Sequence, residues 1–403
     1  MANLDVTKAQ KTLLNLIGHN LFSSPLDLDG DVNWDAVLQE SKAQTVFLIA
    51  FNEYRSLPLG EELTAYLRKH LKKGTFINLN CFQGHKYLHE MMTKHGIPYC
   101  VVKGVASARY YPAPLLRSMG DVDFYVAPKY LDRAREALLA DGFTLEPDDH
   151  PHHLSFIKGM FCFELHFAPI GSPTEEMKPL FLEYWSDICD EAHLKKDELA
   201  EYVLPSDFHH GFILLSHFRS HLLTSGIGLR HVCDWAVFAN TLSNEEFVSV
   251  FEHRLKRAGL WRLAQILSLS AVKHLGMPYK PWMGENHDAA DAMIEEILHS
   301  GNFGRRSEER GHGNMFVSNT VTIAENKSRL FRLFCSMNDI VRNRWHVVKK
   351  CPLLYPVGWI YFSFLFLCKV VTGRRKLHLV SSYREGGKRI VLFKSLKLLE
   401  PEE

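Results

Sequence analysis

The chain has 403 residues, enough for two or three domains, and its 46% hydrophobic, 12% aromatic and 23% charged residues are those of an ordinary globular protein, not a fibrous or disordered one. Its 47 basic and 46 acidic side chains leave a formal charge of +1, which argues against an extended nucleic-acid surface. The eight cysteines are scattered without CxxC spacing and read as reduced thiols of a cytoplasmic protein, and Met1–Lys8 has no basic stretch leading into the apolar run of an export signal.

Residues 1–90 read as a helical region, with apolar residues at three- and four-residue intervals over Ala9–Ile17, Trp34–Leu38 and Glu61–Leu71, and a further helical stretch over Tyr87–His95. Gly96-Ile-Pro98 breaks the pattern, and Tyr99–Val102 is a short β-prone run. Residues 91–175 form an α/β unit. Lys103-Gly104 follows the strand, Val105–Tyr111 starts a helix that Pro112 and Pro114 stop, and Asp121-Val-Asp123-Phe-Tyr-Val126 opens a second strand. Lys129–Asp141 is an amphipathic helix with Leu131, Ala134, Ala137 and Leu138 on one side and Gly142 at its stop. Phe143–Leu145 starts another strand, and Leu154–Phe167 reads as a β-hairpin turning at Lys158-Gly159, whose returning strand puts Glu164 and His166 on one face.

The helical period returns over 176–300, with bundle helices expected at Phe208–Leu222, Leu229–Leu242, Glu245–Arg257 and Leu260–Leu275. Residues 301–403 begin with a Gly- and Arg-rich loop, Gly301–Gly313, read as solvated, and continue as apolar and basic helices. Cys351–Cys368 carries no charge. Pro352, Pro356 and Gly358 nevertheless cut its uninterrupted helix to about a dozen residues, short of the roughly 20 that span a bilayer, so 352–371 reads as a buried or membrane-surface helix.

The chemistry concentrates at Asp121 and Asp123. Two apart on a strand, their side chains project to one face, and two like charges held this close call for a cation such as that of a metal-bound nucleotide phosphate. A metal-dependent nucleotidyl transferase needs this pair, a third carboxylate on a neighbouring strand, and a glycine turn that lets backbone amides approach a triphosphate. Lys103-Gly104, Asp121 with Asp123, and Glu164 offer these parts in order. Arg117 is placed either to meet a phosphate or to offset the Asp pair as an ion pair. His150, His152 and His153 crowd the hairpin entrance, and His153 and His166 share the hairpin with Glu164 and so are candidates for lining the pocket. His217 and His221 have the i, i+4 spacing of a zinc pair, but no HExxH arrangement or cysteine partner accompanies them, and they are not read as a zinc site. Arg230 and Asp234, also i, i+4, either pair on a helix surface or leave Arg230 facing the cleft.

Together these residues resemble the uncharacterised nucleotidyltransferase family of the polymerase-β-like superfamily. The likeness rests on Lys103-Gly104-Val-Ala106, Tyr111-Pro112, Arg117, Asp121–Val126, Gly142-Phe143, His153 and Glu164-Leu-His166. It continues in His217–His221, Gly226–Trp235, Gly301–Gly304 and Pro352–Trp359, so it covers most of the chain. The resemblance implies an α+β protein, with a small mixed β-sheet nucleotidyltransferase core embedded in N-terminal and C-terminal helical regions. It implies transfer of a nucleoside monophosphate from an NTP to an unknown small-molecule, saccharide or protein acceptor, with Mg2+ or Mn2+ as cofactor. Asp121, Asp123 and Glu164 would be the catalytic carboxylates and metal ligands, and Lys103, Gly104, Arg117, His153, His166 and Arg230 would bind the nucleotide. The chain departs from the superfamily in having Lys-Gly at the glycine turn and a longer interval to Asp121, which leaves Lys103 to supply charge that a tighter amide nest would otherwise provide. Two other classes also fit: a non-catalytic regulatory or interaction protein on the same fold, and a membrane-surface enzyme of cell-surface polysaccharide assembly, attached through 352–371.

Overall fold

Alternating apolar residues in the α/β unit build a five-stranded sheet. In the computed structural model the described residues are 6–28, 30–147, 152–169, 177–196, 199–223, 226–302, 328–345, 347–372, 390–394 and 396. The strands are β1 (Cys100–Val101), β2 (Val122–Tyr125), β3 (Thr144–Leu145), β4 (His153–Lys158) and β5 (Phe161–His166), in the order β1-β2-β5-β4-β3. Only β2 and β5 run parallel; the other neighbours are antiparallel. This is the expected α+β fold with its small mixed sheet, and the expected hairpin turns where Gly159 takes φ 59°.

The period of two assigns the two faces of the sheet. Val122, Phe124, Phe156, Phe163 and Leu165 are buried on one face with Phe82, Leu88, Met91 and Met92 of α4 (Glu61–Lys94) and Ala134, Ala137 and Leu138 of α6 (Leu131–Ala140). The helix α4 is a single element of 34 residues, joining the two stretches expected at its ends. Its interior glycine Gly84 lets it lie directly on the sheet, since a Cβ there would come within 2.9 Å of Val122 Cγ2.

A second apolar core is helical. The N-terminal helices α1 (Lys8–Phe22), α2 (Trp34–Ala43) and α3 (Phe47–Ala50) share it with α8 (Asp207–Leu223), α9 (Leu229–Thr241), α10 (Asn244–Arg257), α11 (Trp261–Leu275) and α12 (His287–Ser300). Helix starts follow local capping chemistry: Thr7 with Gln10 and Ser243 with Glu246 each form a reciprocal capping box at α1 and α10. Buried Gln44, just after α2, donates to the carbonyls of Ile297 and Leu298 and accepts from the Leu229 amide, tying three helix ends together. Helix α7 (Lys178–Ser186) brings Trp185 edge-on to Tyr125 of β2 at 5.1 Å, where the sheet meets the helical core.

Two expectations are corrected. The 176–300 region is not wholly helical: β6 (His193–Lys196) and β7 (Glu201–Leu204) form a separate antiparallel pair. Tyr202 and Leu204 of β7 are buried in the core of the sheet unit, and four-residue strands are too short to show their period. The apolar C-terminal helix runs over Tyr355–Val371, 17 residues instead of a dozen, because Pro356 sits in the first turn, where its missing N–H costs no hydrogen bond. It packs on the helix Arg329–Arg344, with Trp359 Nε1 donating to Asn338 Oδ1 at 3.0 Å. Among the described residues, no helix is long and apolar enough to cross a membrane. His150 and the loop residues 303–313, with Arg305, Arg306 and Arg310, lie outside the described residues.

Candidate active site

Strand pairing places the polar face. Asp123 lies beside Glu164, and Tyr125 beside His166, in the parallel β2–β5 ladder. His166 in turn lies opposite His153 in the antiparallel β4–β5 ladder. Asp123, Glu164, His166 and His153 therefore share the face turned away from α4, and Asp121 precedes β2 on the same side. Lys103 and Gly104 close β1. Gly104 adopts φ 50° and ψ −115°, a conformation open to glycine and strained for other residues, and from it the single turn α5 (Val105–Ala108) departs.

Asp123 is the buried centre, only 3% exposed. Its Oδ1 accepts from the Lys103 ammonium at 2.8 Å and from His166 Nε2 at 2.9 Å. Glu164 Oε2 lies 3.6 Å from the same His166 nitrogen. Asp121, Asp123 and Glu164 each bring an oxygen to within 4.8 Å of the others. Burial would raise the Asp123 carboxyl, but the Lys103 charge and the His166 hydrogen bond outweigh it and hold Asp123 well below the carboxylate range. Asp121 goes the other way: the Asp123 charge, then burial, then Glu164 raise it to about 6. Two carboxylates two residues apart thus differ sharply in proton affinity. Lys103 loses proton affinity to burial and regains more from Asp123 and Glu164, so it stays charged.

The facing wall comes from α8 and α9. His217 and His221 touch through their Nε2 atoms at 2.9 Å, and the His231 ring lies tilted beside both, at centroid distances of 5.5 and 6.1 Å. Burial first, then the Lys103 and Arg230 cations and, for His217 and His231, the His221 imidazole, disfavour protonation: His217 and His231 fall well below the usual histidine range and His221 falls to about 4. Arg230 Nη1 donates to the Ser118 carbonyl at 3.4 Å, while its Nε is buried without a hydrogen-bond partner.

The carboxylate partner of Arg117 is not the Asp121/Asp123 pair. Its Nε and Nη2 form a bidentate pair with Asp234 of α9, both at 2.8 Å, and the Tyr111 hydroxyl donates to the same carboxylate at 2.6 Å. Asp234 is therefore not a surface partner of Arg230 but, at 2% exposed, a buried anchor that ties the segment before Asp121 to the helical core.

Lys103, Gly104, Arg117, Asp121, Asp123, His153, Glu164, His166 and Arg230, all expected from the sequence, line one cleft of about 660 Å3, a size typical of small-molecule sites. Sequence reasoning missed Thr45, His231, Asp234 and Asn302 as cleft residues. Thr45 comes from a turn distant in sequence and carries no local signal, while Asn302 lies in the Gly301–Gly304 segment, which does not reveal what it faces. The spacing of His217 and His221 was visible, but it signals a shared helix face and not what that face meets.

A sequence model of a family described as an uncharacterised nucleotidyltransferase matches residues 30–276, which takes in the whole carboxylate cluster and the facing helices. No curated protein matches the chain.

Proposed function

The chain belongs to the uncharacterised nucleotidyltransferase family, and from that premise we propose that it moves a nucleoside monophosphate from an NTP to an acceptor hydroxyl or phosphate, with pyrophosphate leaving and Mg2+ or Mn2+ held by Asp121, Asp123 and Glu164. One observation carries the reading: three carboxylates, Asp123 and Glu164 from adjacent parallel strands and Asp121 just before one of them, converge within 4.8 Å in a cleft that also holds Lys103, Arg117 and Arg230. The donor set fits a hard divalent cation, and the Lys103 ammonium on Asp123 supplies the positive charge that this pair requires. When bound, such ions offset the charge of the triphosphate and favour ionisation of the attacking hydroxyl.

The protein groups divide the remaining work. Gly104 allows close backbone approach to phosphate, and Lys103 balances its charge. The buried, unpartnered Nε of Arg230 is a donor that a phosphate oxygen would satisfy. Glu164, 23% exposed at its side chain, is the third carboxylate and would help hold the metal. Neutral His217, His221 and His231 suit hydrogen bonding to a sugar, base or acceptor hydroxyl. Arg117, held by Asp234, positions the segment that delivers Asp121.

A thermal-shift screen of the four NTPs with and without Mg2+ tests the reading, because a ligand that binds the native state raises the melting temperature. At least one NTP should stabilise the wild type only with the metal, and Asp121→Ala should abolish that shift. An undiminished shift in Asp121→Ala rules out the assigned metal site, and no shift with any NTP favours a non-catalytic role. A second reading, membrane-surface attachment, is supported by Leu353, Val357, Ile360 and Phe364, exposed by 87%, 52%, 72% and 62% at helical spacing. Co-sedimentation with lipid vesicles, lost when Ile360 and Phe364 are replaced by Ser, is its expected signature; unchanged sedimentation of that variant removes it.

A further inference from the structure

Glu164 belongs to two converging groups of side chains. One is the carboxylate cluster. The other is His153, Glu164 and His166, each with a ligand atom within 4.8 Å of the others. Strand pairing builds this group as firmly as the first, since His153 and His166 are direct cross-strand partners and Glu164 lies two residues before His166 on the same face.

The chemistry of the second group differs from that of the first. Mg2+ prefers oxygen ligands, whereas two imidazoles with one carboxylate suit a divalent transition metal. His166 also has an unused lone pair. Its Nε2 faces the Asp123 carboxylate at 2.9 Å, so that nitrogen carries the proton, and the side chain is only 1% exposed. Its Nδ1 is then an acceptor, buried and with no hydrogen-bond partner. Nδ1 is therefore the nitrogen left to ligate an ion. The cluster Asp187, Glu191 and His209 is a useful contrast: His209 already uses Nε2 with Asp187 at 3.0 Å and Nδ1 with Ser206 at 2.8 Å.

We propose that His153, Glu164 and His166 hold a second divalent cation of transition-metal type, such as Mn2+ or Zn2+, and share Glu164 with the position at Asp121 and Asp123. The proposal meets the proposed function at Glu164 but rests on its own two imidazoles. A carboxylate common to two ion positions is the geometry of two-metal sites, in which the ions lie roughly 3.5–4 Å apart. Here the two positions would discriminate between metals by ligand softness.

Mn2+ titration of the full chain without nucleotide, counting free Mn2+ by electron paramagnetic resonance, provides the test. Wild type should bind one more Mn2+ than His153→Ala, and excess Mg2+ should displace only the ion at the carboxylate cluster. Pulsed resonance on Mn2+-loaded wild type, which needs no substitution, should show nitrogen hyperfine coupling from imidazole. Unchanged Mn2+ binding in His153→Ala, or coupling to no nitrogen, overturns the proposal. Asp121→Asn separates the two readings: it should remove the other ion and leave the nitrogen coupling. If it leaves Mn2+ binding unchanged while His153→Ala removes an ion, the carboxylate assignment fails and the imidazole site stands.

Discussion

Replacing Asp234 by Ala removes the partner of a guanidinium that is only 6% exposed and leaves it buried without a counter-charge. Two charge-assisted hydrogen bonds from Arg117 and one from the Tyr111 hydroxyl disappear together. Breaking a buried pair by deleting one member costs about 3–5 kcal/mol, because the surviving charge keeps its desolvation penalty. At roughly 2 °C per kcal/mol for a chain of this size, the melting temperature should fall by about 6–10 °C. Arg117→Met alone should lose a similar amount, since Asp234 is then the stranded charge. The double variant Arg117→Met with Asp234→Ala should lose no more than either single one, because both buried charges are gone. Chemical denaturation of the four proteins measures the cycle. Losses that add across the two sites, or single losses below about 1 kcal/mol, would refute the claim that this pair anchors the segment carrying Asp121.

Three further outcomes follow from the site. Asp121 is raised to about 6 by Asp123, burial and Glu164, so it holds its proton more tightly folded than unfolded; in metal-free protein its contribution to stability is present below 3.8 and lost as pH rises through about 6. Asp121→Asn should flatten that part of the pH–stability curve, and an unaltered slope contradicts the assignment. In the same window a metal must displace the proton, so Mg2+ affinity should rise by up to about tenfold per pH unit towards 6 and level off above it, as calorimetric titration across pH would show. Lys103→Met should weaken NTP binding while leaving divalent-metal affinity equal or tighter, because the ammonium no longer competes for Asp123; weaker metal binding would contradict its place as a substitute cation. Gly104→Ala should cost about 1–3 kcal/mol through backbone strain at φ 50°, not through crowding, since a Cβ there would come no closer than 3.6 Å to a neighbour; a wild-type melting temperature would dismiss the strain.

The parts legible in the sequence were those set by short-range periodicity. The Asp121/Asp123 spacing, the Glu164/His166 alternation and the hairpin between His153 and His166 each follow from the period of two, and pairing then brings them together. The helices α8 to α11 came from apolar spacing to within two residues of their ends. What the sequence hid was long-range. In sequence Arg117 stands beside Asp121 and Asp123, yet its partner is Asp234 on a helix of the second core. Burial explains that choice: a guanidinium out of water requires a bidentate partner, and Asp123 is already occupied by Lys103 and His166. The continuity of α4 between Leu71 and Tyr87 was likewise hidden, for Gly74 and Gly84 there serve close packing against Leu48 and Val122, which lie far off in sequence.

The most direct test of the central claim is equilibrium binding of each NTP to the full chain, with and without Mg2+, in wild type and in Asp123→Asn. The account predicts that at least one NTP binds in a metal-dependent way, and that Asp123→Asn weakens it by more than about tenfold, a loss above about 1.4 kcal/mol. Equal NTP affinity in Asp123→Asn, or binding indifferent to the metal, would contradict it.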